Sequence, residues 1–328
     1  MIGILEQISI AWLLTGAAAL WFIRSYMQGG KYRKSTTALG KVVLITGANT
    51  GIGKETAREL AKRGATIYMA CRDMEKCEKA RQELIKDTCN PNIHGMKLDL
   101  ASLKSIKEFV ENFKKVESRL DILINNAGIM ACPHMLTDDG FEMQIGVNHL
   151  GHFYLTNSLL DMLKESAPSR IVVVSSLAHT MGPFKKNDFL SERSYDASKV
   201  YSHSKIANIL FAHELAKRLQ GTKVTINSLH PGVVESDLLR HSILDKNPII
   251  SYIFAFPKRI FFKTTSNGAQ TTLYAALDPD LELVTGTYFS DCRPKKTAAV
   301  ARDDNLAKWL WDESDRLINL KLAQLGLK

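Results

Sequence analysis

The sequence lacks the cysteine patterns that stabilise secreted domains or bind structural zinc. Its 328 residues include five cysteines, an odd number, and none of them forms a C-x-x-C pair. Extracellular domains of this kind usually pair their cysteines, so reduced thiols in the cytosol are the simpler interpretation. The sequence gives no spacing typical of a metal site, and no metal is predicted. The five positions are Cys71, Cys77, Cys89, Cys132 and Cys292.

Linker-like segments are also missing. Between about residue 40 and the C-terminus there is no Pro-, Gly- or Ser-rich break, no internal repeat and no low-complexity tract. The chain is 45% hydrophobic and 23% charged, which is the composition of a folded globular protein. We therefore expect a single folded domain over residues 36–328, preceded by a separate N-terminal segment over residues 1–35.

Positive charge is in excess, but its distribution does not favour nucleic acid. The net charge is +9, yet there is no zinc-finger spacing and no basic stripe with interleaved aromatic residues. Most basic residues are scattered among acidic ones along apparent helices. We therefore predict no nucleic-acid partner. The basic cluster that follows the first apolar run suits an anionic membrane surface instead. That cluster consists of Arg24, Lys31, Arg33, Lys34 and Lys41.

Residues 8–23 form a 16-residue run without a charge. A helix that spans a bilayer needs about 20 apolar residues, so this run requires the extension offered by residues 2–5. A cleaved signal peptide is a competing interpretation, but the positive charge that should precede it is absent. A buried core helix is another. The basic flank predicts that this run is a membrane anchor and that the following domain faces the cytosol.

Seven short β-rich runs alternate with amphipathic helical patterns. Strands that are apolar almost throughout are typical of a parallel sheet covered by helices on both faces. The helical patterns include residues 54–63, closed by Gly64, and residues 102–117, opened by a capping Ser102. This order predicts an α/β fold with a Rossmann-like, doubly wound parallel sheet of about seven strands. The runs cover residues 41–46, 66–71, 94–99, 121–126, 170–176, 223–230 and 286–290.

A glycine-rich loop follows the first predicted strand and precedes a predicted helix. In that context glycine lets backbone N–H groups approach a pyrophosphate at the helix N-terminus. A glycine-rich turn without a ligand is the competing interpretation. The loop residues that we predict to bind a dinucleotide are Thr46, Gly47, Asn49, Thr50, Gly51, Ile52 and Gly53.

The ends of the next three strands indicate the type of nucleotide. Arg72 ends the second strand, where a guanidinium accommodates the 2′-phosphate of NADP(H). Asp73, the next residue, is an alternative contact for the ribose of NAD. Asp99 and Leu100 end the third strand, where adenine would lie, but Asp99 is alternatively a turn residue of the next helix. Residues predicted to bind at the end of the fourth strand are Asn125, Ala127 and Gly128.

A tyrosine and a lysine four residues apart carry the candidate chemistry. Tyr201 and Lys205 share one face of a helix, and a nearby ammonium lowers the pKa of a phenol towards neutrality. Tyr201 would then be a general acid or base, while an exposed helical pair is the alternative. Ser176 ends the fifth strand and would orient a substrate carbonyl. Ser175 is its alternative, because only one of two successive strand side chains points into the site.

Together these motifs resemble the short-chain dehydrogenase/reductase superfamily, over residues 41 to about 290. The resemblance rests on the TGxxxGxG loop, the NNAG motif, the strand-end serine, Y-x-x-x-K and a following Pro-Gly. It implies that Ser176 is the catalytic serine, that Asn148 completes the catalytic set by holding a water, and that Lys205 binds the nicotinamide ribose. The further contacts that it implies on the nicotinamide side are Tyr201, Pro231, Gly232, Val234 and Ser236.

The spacing between the serine and the tyrosine is longer than in many members of this superfamily, and it restricts the resemblance to one group of them. Ser176 and Tyr201 are 25 positions apart, with an inserted loop over residues 183–194, and this is similar to the membrane-anchored, NADP-preferring retinol dehydrogenases of the photoreceptor and prostate microsomal type. That similarity implies retinal or retinol as substrate and the endoplasmic reticulum membrane as location, and it allows a homodimer. The apolar stretch over residues 243–263 favours a lipophilic substrate, unless it packs as a core helix. Sterol, isoprenoid or lipid-derived carbonyls, or a non-catalytic binding role, are the alternatives.

Overall fold

A computed structural model of the chain describes residue 15, residues 18–234 and residues 262–327. Residues 18–27 are helical, with Trp21, Phe22 and Tyr26 exposed. Among the residues described, no helix combines enough length and apolarity to cross a bilayer. Ser236, most of the predicted anchor and most of the apolar stretch over residues 243–263 lie outside the described residues.

The predicted parallel sheet is confirmed, and it has eight strands in the order β3-β2-β1-β4-β5-β6-β7-β8. The first seven strands are parallel and coincide with the seven predicted runs. The eighth has two residues and pairs antiparallel with β7, too short to leave a pattern in the sequence. The strands are β1 (Val42–Thr46), β2 (Thr66–Cys71), β3 (Ile93–Lys97), β4 (Ile122–Asn125), β5 (Ser169–Val174), β6 (Val224–His230), β7 (Tyr288–Ser290) and β8 (Arg293–Pro294).

Helices cover both faces of the sheet, because side chains alternate along each strand and both sets are apolar. Leu44 of β1 belongs to the core that includes α3, α5, α7 and α9 on one face, whereas Ile45 belongs to the core that includes α1, α2 and α8 on the other. The result is three layers with a core on each side of the sheet. The α-helices are α1 (Gly51–Lys62), α2 (Met74–Thr88), α3 (Leu103–Val116), α4 (Met143–Ile145), α5 (Gly151–Ser158), α6 (Leu160–Glu165), α7 (Ala197–Arg218), α8 (Thr265–Leu277) and α9 (Asp304–Gln324).

The strand order sets where a ligand binds. The chain runs from β1 outward to β3 and then crosses back to β4 on the opposite side of β1, so the connections after β1 and β4 diverge. A crevice opens at such a switch point, outside the carboxyl ends of the strands. The glycine-rich loop follows β1 at this edge, and the NNAG motif follows β4. Ser102 caps α3 as predicted, accepting a hydrogen bond from the Ser105 N–H at 3.4 Å.

Candidate active site

A continuous groove runs along the carboxyl edge of the sheet. It joins a cavity of about 410 Å³ to one of about 90 Å³, which share Ile52, Asn126 and Gly128. Predicted residues that line the larger cavity are Gly47, Asn49, Thr50, Gly51, Ile52, Gly53, Arg72, Asp99, Leu100, Ala127 and Gly128. Predicted residues that line the smaller one are Ser176, Tyr201, Lys205, Pro231, Gly232 and Val234. The structure thus brings nucleotide-binding and catalytic candidates into one groove.

The loop between β1 and α1 forms a tight backbone cradle in which three positions require glycine. Gly47 and Gly51 have φ angles of 65° and 57°, in the left-handed region. A Cβ on Gly53 would lie 2.4 Å from the Gly47 carbonyl oxygen, so a side chain has no room there. The hydroxyl of Thr50, the N-cap of α1, makes no capping hydrogen bond within the described structure. A close backbone approach beside an uncapped helix N-terminus fits a pyrophosphate.

Two predicted cofactor contacts lie beneath the groove rather than in its lining. The Thr46 hydroxyl accepts hydrogen bonds from the N–H groups of Asn126 and Ala127, each at 2.9 Å, and Asn125 donates to the Thr156 hydroxyl at 2.8 Å. Asn126 lines the groove instead and donates to the Thr46 carbonyl at 2.9 Å. Sequence reasoning named its neighbours in the NNAG motif and missed Asn126 itself.

Two exposed cations stand at the outer end of the larger cavity. Arg72 and Lys76 both line it, and Lys76, in the first turn of α2, was missed. Asp73 also lines the cavity, but its carboxylate caps α2 by accepting the Lys76 N–H at 3.1 Å, and this bond lowers its pKa. Asp99 lines the cavity and also accepts the Ala101 N–H at 3.0 Å, so it is a turn residue of the next helix, and its contact with adenine stays a prediction.

The smaller cavity contains the tyrosine, the lysine and the serine. The Lys205 Nζ lies 5.5 Å from the centre of the Tyr201 ring, and the Ser176 hydroxyl hydrogen-bonds to the phenol. The Ser175 hydroxyl donates to the Lys205 carbonyl at 2.8 Å and is buried. Ser176, not Ser175, is therefore the serine whose hydroxyl meets the phenol.

The prediction that Lys205 lowers the pKa of Tyr201 is wrong for this structure. Burial of the phenol raises its pKa to about 12, and the hydrogen bond with Ser176 offsets the burial only in part. Lys205 is itself buried, and burial lowers the pKa of its ammonium to about 8. Desolvation by burial is the main cause of both shifts. Tyr201 consequently holds its proton at neutral pH, as a proton donor must.

Asn148 occupies the centre of a π-helical turn, Gly146–Leu150, between α4 and α5. It is fully buried and exchanges two hydrogen bonds with the backbone of Ile129, both at 2.9 Å. A Cβ on Gly128 would lie 3.3 Å from the Asn148 Oδ1 and 3.4 Å from the Lys205 Nζ, so both polar groups border the same glycine. Such π turns are frequent at functional sites. Its role in holding a water stays a prediction.

The chain is similar to proteins of known family over nearly its whole length. The family model described as short chain dehydrogenase matches residues 41–247. Retinol dehydrogenase 13 of Mus musculus is 47% identical over 320 residues, covering 97% of this chain and 95% of that protein. Retinol dehydrogenase 12 of Homo sapiens is 51% identical over 299 residues, covering 91% and 93%.

Solved structures show the same fold. A crystal structure of an uncharacterised protein from Mycobacterium paratuberculosis has a TM-score of 0.70 and 37% identity, and the match covers 87% of this chain and 95% of that one. The RhlG/NADP active-site complex of Pseudomonas aeruginosa has a TM-score of 0.63 at 24% identity, covering 79% and 97%. The match to the family model and the identity of these relatives confirm the family predicted from the motifs. The chain belongs to the short chain dehydrogenase family.

Proposed function

We propose that the protein is an NADP(H)-dependent oxidoreductase that interconverts a lipophilic alcohol and its aldehyde or ketone, with retinal and retinol as the preferred pair. One observation carries the proposal. A single groove leads from the cations Arg72 and Lys76, past the glycine cradle, to Ser176, Tyr201 and Lys205. The retinoid pair is supported by the names of the relatives that are about 50% identical.

The residues divide the nucleotide between the two cavities. The cradle and the N-terminus of α1 hold the pyrophosphate, while Arg72 and Lys76 face the 2′-phosphate at the outer end. Pro231, Gly232 and Val234 form one wall of the inner cavity, which Tyr201 also lines. When bound there, NADPH supplies the hydride that reduces the carbonyl carbon.

Proton transfer is the task of the protein side chains. The Ser176 hydroxyl orients the carbonyl oxygen, and the neutral Tyr201 phenol gives its proton to the oxygen as negative charge develops. The Lys205 ammonium lies 5.5 Å from the centre of the phenol ring, donates to the Val174 carbonyl at 3.3 Å and would bind the nicotinamide ribose. A phenol that keeps its proton at neutral pH has a proton to give to the carbonyl oxygen during reduction.

Replacement of Arg72 should switch the cofactor preference. For Arg72→Gln we expect kcat/KM for NADPH to fall by about 10- to 100-fold, because a hydrogen bond between charged groups is worth about 1.5–3 kcal/mol. The value for NADH should stay within about twofold, since NADH has no 2′-phosphate. Steady-state kinetics with each nucleotide measure both. Arg316→Gln, at an exposed ion pair on α9, is the matched control. Equal losses with both nucleotides would refute the assignment of Arg72.

The substrate is tested by competition among carbonyl compounds. The full-length protein in detergent is given all-trans-retinal, farnesal, a ketosteroid and a medium-chain aldehyde, each with NADPH. We expect the highest kcat/KM for retinal. A higher value for the steroid or for farnesal would replace the retinoid by a sterol or isoprenoid substrate, while the oxidoreductase assignment would stand.

The location follows from the N-terminal region. We propose that residues 1–35 anchor the protein in the endoplasmic reticulum membrane and that the domain over residues 36–328 faces the cytosol. The helix over residues 18–27 exposes Trp21, Phe22 and Tyr26, side chains that suit a membrane–water interface, and basic residues follow it. Carbonate extraction and protease protection of microsomes test the anchor and its orientation.

A further inference from the structure

The chain segment that follows the N-terminal helix packs against the start of α8 and the turn after β7. We define residues 28–32 as the N-terminal strap. Its first side chain, Gln28, is buried and donates to the Phe262 carbonyl at 3.0 Å. Its amide oxygen accepts from the Thr264 N–H at 3.2 Å and from the Asn267 side chain at 2.6 Å. The strap is thus fixed to the N-terminal end of α8.

An ion pair lies directly beneath the strap. The buried Lys263 Nζ is 2.5 Å from the Asp291 Oδ1, at the turn after β7. A Cβ on Gly29 would lie 2.2 Å from that carboxylate oxygen and 2.4 Å from the Lys263 Nζ. A Cβ on Gly30 would lie 2.2 Å from the Asp291 carbonyl oxygen. The two glycines let the backbone of the strap lie against the ion pair without space for a side chain.

The same lysine supports the wall of the catalytic cavity. Its N–H donates to the Val233 carbonyl at 2.8 Å, and its aliphatic stem lies 2.7 Å from the position of a Cβ on Gly232. Gly232 has a φ of 96° and lines the cavity beside Tyr201. Val234, also in the wall, packs on Gly268 of α8. Lys263 therefore connects the strap on one side to the cavity wall on the other.

We propose that the N-terminal strap and the Lys263–Asp291 ion pair are positioning elements that hold the Pro231–Val234 wall against the nicotinamide half of the cofactor. The segment that links the anchor to the domain is, on this view, part of the cofactor site. The proposal rests on the proposed function, because it takes the inner cavity as the nicotinamide pocket. Lys263 and Gln28 act through the wall and touch no reacting atom.

Gly29→Ala tests the strap through the ion pair, since the new methyl group must displace Lys263 and Asp291. We expect the Kd for NADPH to rise about tenfold, which corresponds to about 1.4 kcal/mol, the size of one lost hydrogen bond. The Kd for 2′,5′-ADP, which lacks the nicotinamide, should not change, because the outer cavity is untouched. Fluorescence titration of the full-length protein measures NADPH binding, and calorimetry measures 2′,5′-ADP binding.

Gly40→Ala is the matched control. Gly40 also has a left-handed backbone, with a φ of 75°, but a Cβ there meets no atom within 4 Å. It therefore carries the same backbone strain without displacing the ion pair, and both affinities should match the wild type. Lys263→Met keeps the aliphatic stem, removes the charge and should reproduce the Gly29→Ala pattern. The two changes combined should be no worse than either alone, since they act through one contact.

Three outcomes decide the matter. Selective loss of NADPH affinity, with a raised KM for NADPH and an unchanged KM for the aldehyde, supports the proposal. Wild-type affinity in Gly29→Ala, or equal losses for NADPH and 2′,5′-ADP, overturns it, because a general folding defect weakens both ligands. Failure of the wild-type protein to bind either nucleotide overturns the proposed function, and this inference with it.

Discussion

Tyr201→Phe is expected to reduce kcat for carbonyl reduction by between about 100-fold and 10,000-fold, the contribution typical of a positioned general acid. The phenol is buried, its pKa is raised to about 12, and its hydroxyl interacts with Ser176 in the smaller cavity of the groove. Removing the hydroxyl leaves the developing alkoxide without its proton donor, while the ring still packs. Single-turnover reduction of retinal by NADPH measures the loss.

The affinity for NADPH should not change in this variant, which separates proton transfer from nucleotide binding. Tyr195→Phe is the matched control, because its hydroxyl is also hydrogen-bonded, donating to the Cys132 carbonyl at 2.7 Å, but it does not line the groove described here. We expect its kcat within about threefold of the wild type, as for a side chain that makes no transition-state contact. A Tyr201→Phe protein that keeps more than about a tenth of its activity would remove Tyr201 from the mechanism.

Acidification from pH 7.5 to 5.5 is expected to lower the free energy of unfolding by about 5 kcal/mol. Four buried histidines have pKa values lowered by burial, to about 3 for one and about 4 for the others. Their unfolded pKa is about 6.5, so the unfolded chain takes up protons first as the pH falls. The histidines are His149, His152, His203 and His230.

The size of the effect follows from the linkage between proton uptake and folding. One pH unit below the unfolded pKa, each histidine contributes about 1.4 kcal/mol of destabilisation. Glu142 and Asp139 oppose this, because burial raises their folded pKa values and they bind protons more readily in the native state. The net loss is comparable to the whole stability of an ordinary domain, about 5–15 kcal/mol. Urea unfolding followed by tryptophan fluorescence at the two pH values measures it.

One variant measures the contribution of a single histidine to this pH dependence. The His203 ring packs edge-on against Phe184, with centres 4.1 Å apart, so His203→Leu should keep the packing and remove one titrating group. Over the same pH change, the free energy of unfolding of this variant should fall by about 1.4 kcal/mol less than that of the wild type. Phe189→Leu, in the same aromatic cluster, is the control and should lower stability equally at both pH values. A pH dependence unaltered by His203→Leu would show that His203 does not titrate on unfolding.

Several parts of the site were predicted in position but not in role. Thr46 and Asn125 lie under the groove, and Asn126 lines it, because the strand end and the following turn decide which side chains face the crevice. Alternation along the fifth strand lets only one of Ser175 and Ser176 face the site, and in the structure the Ser175 hydroxyl donates to the Lys205 carbonyl instead. Lys76 is a second cation in the groove because it lies in the first turn of α2, and the start of that helix is seen only in the structure.

Short segments of the sequence are enough to predict the seven parallel strands, the glycine cradle and the spacing of Tyr201 and Lys205. These features depend on local backbone conformation and on the period of apolar residues, which are properties of short segments. The tertiary structure alone decided the pKa of Tyr201, the π turn at Asn148 and the contact of the strap with Lys263. Each of these depends on burial or hydrogen bonding by residues distant in the chain, and no local pattern encodes such neighbours.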